Sequence, residues 1–332
     1  MLKDGDKPLP SVRMNRLNRR HFLYQSTLVT LAGGAGFAAA RAATETKNRK
    51  MTIDLVCGNF GVSANQREAV ELAARHGFES VGADGAFLAS LSDDQAAELK
   101  DFMNAKGIVF GAAGLPVEFR RDEAQFEEGL KGLPKWAAGL ERSGVSRVST
   151  WLMPCHDTLT YVQNFRQHAV RLRRVAEVLK AHDVRLGLEY VGPRTSWASR
   201  RYPFIHTLGE MKDLIAEINT GNVGFLLDCW HWWHAGDTVA DLLALNPREV
   251  IAVDLNDAPA AVPKEQMPDG RRELPCATGV IDVGAFLKAL SEIGYDGPVR
   301  AEPFNQVLNK MSKEDACAAV ASALKKAFAL MG

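Results

Sequence analysis

Phe225-Leu226-Leu227-Asp228-Cys229-Trp230-His231 is a short apolar run that stops on a carboxylate and continues into aromatic residues and a histidine. The same design recurs at Leu186-Gly187-Leu188-Glu189, Ile251-Ala252-Val253-Asp254 and Val299-Arg300-Ala301-Glu302. Apolar runs this short, set between helical patterns, read as parallel strands buried on both faces. Working outward, strands are expected over 52–57, 80–83, 108–112, 147–151, 185–189, 223–228, 250–254 and 299–302. Helical patterns follow each of them, over 64–76, 93–106, 123–143, 161–182, 207–218, 239–245, 283–293 and 312–330. Their apolar residues fall at three- and four-residue spacing, as in Leu172, Val175, Ala176 and Leu179. Glycine or a polar turn usually closes them, as at His76-Gly77 and Ile293-Gly294.

Eight such alternations predict a (β/α)₈ TIM barrel over residues 51–332. A doubly wound open sheet is the structural alternative, but it usually carries a glycine-rich turn after its first strand. Gly58-Asn59-Phe60-Gly61 does not match that fingerprint. Two long connections, 191–206 and 255–281, stand out, and long loops in a compact domain usually serve function.

The first 42 residues read differently. Lys3, Lys7, Arg13, Arg16, Arg19 and Arg20 precede a mainly apolar run from about Phe22 to Ala40, which ends in Ala40-Arg41-Ala42. That order is a cleavable export signal, and Arg19-Arg20 resembles the twin-arginine type. An amphipathic helix or a retained anchor are the alternatives. The expected product is periplasmic or otherwise exported, with residues 43–50 an unstructured leader and no stable membrane insertion after cleavage.

The 332-residue chain has no formal net charge, and without the signal it carries 33 basic and 38 acidic residues. That balance offers no basic surface for nucleic acid. The five cysteines are odd in number and irregularly spaced, so they outline neither a disulfide framework nor a zinc ribbon. Cys155-His156 are neighbours in sequence, a poor geometry for a nucleophile and its base.

In a barrel the carboxyl ends of the strands converge on one open face, where active sites lie. Glu189, Asp228, Asp254 and Glu302 would therefore meet there. Four converging carboxylates repel one another, and one divalent cation relieves the repulsion; an oxygen-rich set suits Mg²⁺ or Mn²⁺. Taken singly, each acid could equally pair with a neighbouring cation or cap the next helix.

These motifs also resemble a known family. Leu188-Glu189-Tyr190, Leu227-Asp228-Cys229-Trp230-His231, Val253-Asp254-Leu255-Asn256-Asp257 and Ala301-Glu302-Pro303-Phe304 are similar, in order, to the four metal-site motifs of xylose-isomerase-like sugar isomerases and epimerases. Gly294-Tyr295-Asp296-Gly297-Pro298-Val299 fits as well. The resemblance implies one divalent metal on Glu189, Asp228, Asp254 and Glu302, with Glu189 and Glu302 as acid and base. It implies that His231 contacts substrate oxygens. The family's third ligand is usually histidine, and Asp254 departs from it; an all-carboxylate set would move preference toward Mg²⁺ or Mn²⁺.

Trp151, Trp230, Asp257, Arg271 and Arg272 complete the candidate substrate contacts. The tryptophans suit the C–H faces of a sugar but could as well be loop packing. The arginines could clamp a carboxylate, a hydroxyl or a phosphate, or lie exposed on the surface. The implied chemistry is proton transfer beside a carbonyl of a sugar or keto-sugar. Epimerisation, aldose–ketose isomerisation and loss of a β-substituent (a lyase, or in reverse a hydratase, on oxidised glycosides) all share that first step. A non-catalytic sugar-binding barrel is the alternative from another class, and a homo-oligomer is compatible with the sequence. An endonuclease of the same superfamily would need a histidine-rich multi-metal site and a basic surface.

Overall fold

The computed structural model describes residues 49–332. The expected export signal, and residues 43–48 of the expected leader, lie outside the described residues. Arg49, also in that leader stretch, is ion-paired with Glu79 and lies over the Phe328 ring.

Eight strands form a closed parallel barrel in sequence order: β1 (Thr52–Leu55), β2 (Ser80–Ala83), β3 (Val109–Gly114), β4 (Arg147–Trp151), β5 (Arg185–Glu189), β6 (Val223–Asp228), β7 (Val250–Leu255) and β8 (Pro298–Ala301). β8 returns to β1, with Thr52 opposite Pro298 and Ile53 opposite Val299. Every residue of β6 and β7 is buried, as expected for strands with a packed barrel on one face and helices on the other.

The outer helices are α1 (Gln66–His76), α2 (Asp93–Asn104), α3 (Glu123–Ser143), α4 (Tyr161–Lys180), α5 (Leu208–Ile218), α6 (Val239–Leu243), α7 (Val283–Glu292) and α8 (Lys313–Ala329). Their ends follow local chemistry. Asn65, Ser92 and Asp122 accept hydrogen bonds from free N–H groups at the starts of α1, α2 and α3. Gly144 closes α3 at φ 82°, a left-handed conformation that costs glycine nothing.

The structure corrects several expected boundaries. β3 runs two residues further than expected and starts one later. β7 continues to Leu255, so Asp254 is its penultimate residue; β8 stops at Ala301, so Glu302 follows the strand. The stretch after Asp228, expected as loop, is a helix over Cys229–Ala235, started by Asp228 itself. In the long connection after β5, Tyr202–Pro203 pairs antiparallel with Cys155–His156, which pins that loop over the barrel mouth.

α4 carries a buried histidine with a readable pH consequence. His168 Nδ1 donates to the Asn164 carbonyl at 2.9 Å, and the ring packs 4.9 Å from Phe204 and 5.5 Å from Phe119. Burial pushes it down to about 4 from the ordinary 6.5. Between those values the unfolded chain takes up a proton that the folded chain refuses. Its contribution is complete above pH 6.5 and is lost as pH falls toward 4, by up to about 1.4 kcal/mol per pH unit. His168→Phe should flatten the acid side of the stability curve relative to wild type. Parallel curves from urea unfolding at pH 7, 6 and 5 would contradict this.

Candidate active site

Register places the acids. Asp228 on β6 lies opposite Asp254 on β7, which lies opposite Arg300 on β8. Residues in register on parallel neighbours face the same way, here into the barrel. Glu302, two residues beyond Arg300, falls on the same side one layer higher. Glu189 ends β5 beside Trp151 on β4. Glu189, Asp228 and His231 bring ligand atoms within 4.8 Å of one another, as do Glu189, Asp254 and Glu302. The four carboxylates expected to meet therefore do so.

Their partners differ. Asp228 Oδ1 accepts from the Trp230 N–H and from Asn256 Nδ2, both at 2.8 Å, and Oδ2 accepts from Arg272 Nη1 at 2.7 Å. Arg272 Nη1 also reaches Glu302 Oε2 at 2.9 Å, and Nη2 reaches Asp269 Oδ1 at 2.9 Å. Asp254 is fully buried and held by Arg300 from both Nε and Nη2. Glu189 is buried, and its Oε1 has no hydrogen-bond partner among the described residues. Beneath them lies Asp54 on β1, also buried with both oxygens unpartnered. It fits because β3 has Gly111 there, where a Cβ would come within 2.5 Å of Asp54 Oδ1.

Six acids (Asp54, Glu189, Asp228, Asp254, Asp269, Glu302) thus face two arginines. Burial raises the Asp54 carboxyl to about 6, Asp228 to about 7 and Glu302 to about 8. Glu189 is driven well above the usual carboxylate range by burial and by its three acidic neighbours. A buried anionic surplus is costly unless something pairs it. The free, buried Glu189 oxygen and the two ligand triplets fit a divalent cation, so the cluster could hold one. Both oxygens of Asp254 are engaged by the Arg300 fork and both of Asp228 by Trp230, Asn256 and Arg272, so Glu189 is the ligand with a free buried oxygen.

His231 is buried in the same cluster. Its Nδ1 accepts from the Gly192 N–H at 3.2 Å, while Nε2 stands 3.8 Å from both Glu189 Oε1 and Asp228 Oδ2. Burial and the Arg272 charge push it down to about 3, which keeps the ring neutral.

Two cavities open above the barrel. One, of about 380 Å³, lies over β1–β4 and is lined by Asn59, Ser149, Thr150 and Arg300 among others. The other, of about 540 Å³, lies under the long loops and is lined by Met153, Val191, Thr195, Ser199, His231 and Phe304 among others. Both are walled by Trp151, Glu189 and Glu302.

The remaining candidates divide. Trp151 is 41% exposed and stands between the cavities. Trp230 is fully buried, donates from Nε1 to Asp269 Oδ1 at 3.0 Å, and packs under Arg272; it supports the site and presents no face to a ligand. Arg272 is also buried and spends its donors on the protein's own carboxylates, so the expected clamp on substrate is a clamp on Asp228, Glu302 and Asp269. Asp257 is fully buried and accepts from the N–H groups of Ala258, Thr278, Gly279 and Ile281. It anchors the loop after β7, with both of its oxygens taken up by these N–H groups. Arg271 is exposed and lines neither cavity.

Sequence reading missed Arg300, Asp269, Asn256 and Asp54. The period-two alternation of a strand could have found Arg300, because it shares a face with Glu302. Asp269 carries no such signal, since it sits in a loop and reaches the site by tertiary folding.

Known proteins place the architecture. The inosose isomerase of Halalkalibacterium halodurans is 26% identical over 231 residues, spanning 68% of this chain and 77% of that protein. A xylose isomerase domain protein from Alicyclobacillus acidocaldarius superposes with a TM-score of 0.74 at 32% identity, covering 84% of this chain and 99% of that one. The IolI protein, solved with a bound zinc atom, shares the fold with a TM-score of 0.69 at 21% identity over 84% of this chain and 98% of that one. The sequence model of the xylose isomerase-like TIM barrel matches residues 70–327, most of the length, and this chain belongs to that family.

Proposed function

We propose that the chain is a sugar isomerase or epimerase that moves a proton on a carbon next to a carbonyl, with Glu189 and Glu302 as the acid and base. The observation that carries this reading is the position of the two glutamates. They wall both cavities together, and one of them keeps a buried oxygen without a partner. The kinship with inosose isomerase supports a sugar as substrate.

One glutamate removes the proton and the other returns it. Return to the same carbon from the opposite face is epimerisation, and return to the neighbouring carbon is isomerisation. His231, neutral and held from Gly192, presents Nε2 to the substrate's oxygens. Arg272 fixes Asp228 and Glu302 in place.

Glu189, Asp254 and Glu302, with Asp228 beside Glu189, would hold one divalent cation. When bound, that ion supplies Lewis-acid polarisation of the carbonyl. The oxygen-rich donor set favours Mn²⁺ or Mg²⁺. Metal analysis should then find one such ion per chain in wild type and none in Asp228→Asn. A wild type that holds no metal at saturating Mn²⁺ and Mg²⁺ would remove the cation from this reading.

The experiment for the reaction is solvent-deuterium uptake into a panel of free sugars and keto-sugars. Incorporation at the carbon beside the carbonyl is expected. Turnover without exchange, combined with intact transfer of a substrate deuterium, would point to hydride movement instead. Export also belongs to this reading, on the strength of Arg19-Arg20 and Ala40-Arg41-Ala42. Mature protein should begin near Ala43, and full-length protein recovered from the cytoplasm of native cells would oppose it.

A further inference from the structure

We infer that the substrate is a two-part sugar: a ring reacting beside its carbonyl, joined through a glycosidic bond to a second unit that lies in the larger cavity. The inference rests on the proton-transfer reading above and names its substrate class.

Each cavity falls within the range of about 300–1,000 Å³ that holds a small ligand, at 380 and 540 Å³. They share Trp151, Glu189 and Glu302 as a common wall. A carbon held between the two glutamates therefore has space on both sides. A single sugar ring leaves one of the two spaces to water.

Both spaces mix apolar walls with hydrogen-bonding groups, as a sugar unit requires. The smaller sets Asn59, Gln66, Ser149, Thr150 and Arg300, which can meet ring hydroxyls, among apolar side chains such as Leu55 and Leu226. The larger sets Met153, Val191 and Phe304 against Thr195, Ser199 and the charged Arg200, which suits a second unit with an apolar face and hydroxyls.

Phe304 adds an independent observation. Its backbone is at φ 39°, a conformation that side-chain-bearing residues rarely adopt. The residue is 39% exposed, and the Arg272 guanidinium lies 4.6 Å from the ring centre. Strain of this kind persists where the surroundings impose it, typically at ligand sites. Here it holds the ring in the wall of the larger cavity with Arg272 on one side, and Trp151, with Arg120 4.7 Å from its ring centre, stands in the same wall. Exposed aromatic faces suit the C–H faces of a sugar.

The test compares maltose and cellobiose with glucose, each also as its 3-keto derivative, by solvent-deuterium exchange and by titration calorimetry. In wild type the best of the two-ring sugars should exceed its matched single ring in kcat/KM. Phe304→Ala, which removes the ring, and Ser199→Trp, which fills the space, should each cut that ratio roughly tenfold, the scale of one aromatic contact. Equal kcat/KM for every matched pair in wild type would overturn the inference. So would a ratio unchanged in both variants. If no sugar exchanges deuterium, the proton-transfer reading fails by itself, and calorimetry still decides the cavity. Tighter binding of a two-ring sugar that is lost in Phe304→Ala supports the inference, and equal binding of the one- and two-ring forms overturns it.

Discussion

Glu189→Gln should fold and melt like wild type yet lose solvent-deuterium exchange by about 10²–10⁴-fold, the usual cost of removing a general base. The substitution keeps the volume of a side chain that is buried against His231 and the other acids. It also removes the buried oxygen without a partner, so no folded-state hydrogen bond is lost from that atom. The effect should fall on kcat, because the interaction is made with a proton in flight and not with bound sugar. Metal content measured on the same sample separates loss of the base from loss of a ligand. Exchange at wild-type rate in a metal-loaded Glu189→Gln would end the two-glutamate mechanism.

Arg272→Met should destabilise the barrel by about 3–5 kcal/mol, the cost of breaking a buried ion pair by removing one partner. Arg272 is 2% exposed and ties Asp228, Asp269 and Glu302 together. Methionine fills most of the space but leaves three carboxylates facing one another. Arg272→Lys keeps the charge but loses the planar fork that reaches three acids at once, so it should fall between the two. Urea unfolding reads both variants. A loss under about 1 kcal/mol for Arg272→Met, the scale of an exposed pair, would show that the cluster neutralises itself by other means.

The barrel was legible because its strands advertise themselves: short apolar runs, each followed by a helical pattern. Four of the eight observed strands, β2, β4, β5 and β6, have the bounds that the pattern gave them. The ends of β7 and β8 shifted by a residue because the acids were taken as the stops. Hydrogen bonding, not residue type, decides where a strand stops. The site was legible in its four strand-end carboxylates and His231, which the fold carries to one rim, but not in Asp54 or Asp269. Of its two cations, Arg272 was named, though as a clamp on substrate, and Arg300 was missed. Arg300 interrupts an apolar run, but it alternates onto the same face as Glu302 and turns inward to bind Asp254. Asp257 lies in a motif beside true site residues, and local sequence cannot tell a substrate contact from a loop anchor holding four N–H groups. Phe304 gave no sign at all, because its exposure depends on a backbone angle that no residue preference foretells.

The pairing of β8 with β1 has a consequence during translation. The strand made first must wait beside its partner's vacant place until nearly the whole chain has left the ribosome. A nascent chain lacking β8 exposes two strand edges, a surface prone to wrong pairing. Glu302 follows β8 directly, so the last acid of the rim arrives with the strand that closes it. Chains cut short before that point would be clients for chaperones and proteases, never partly active enzymes.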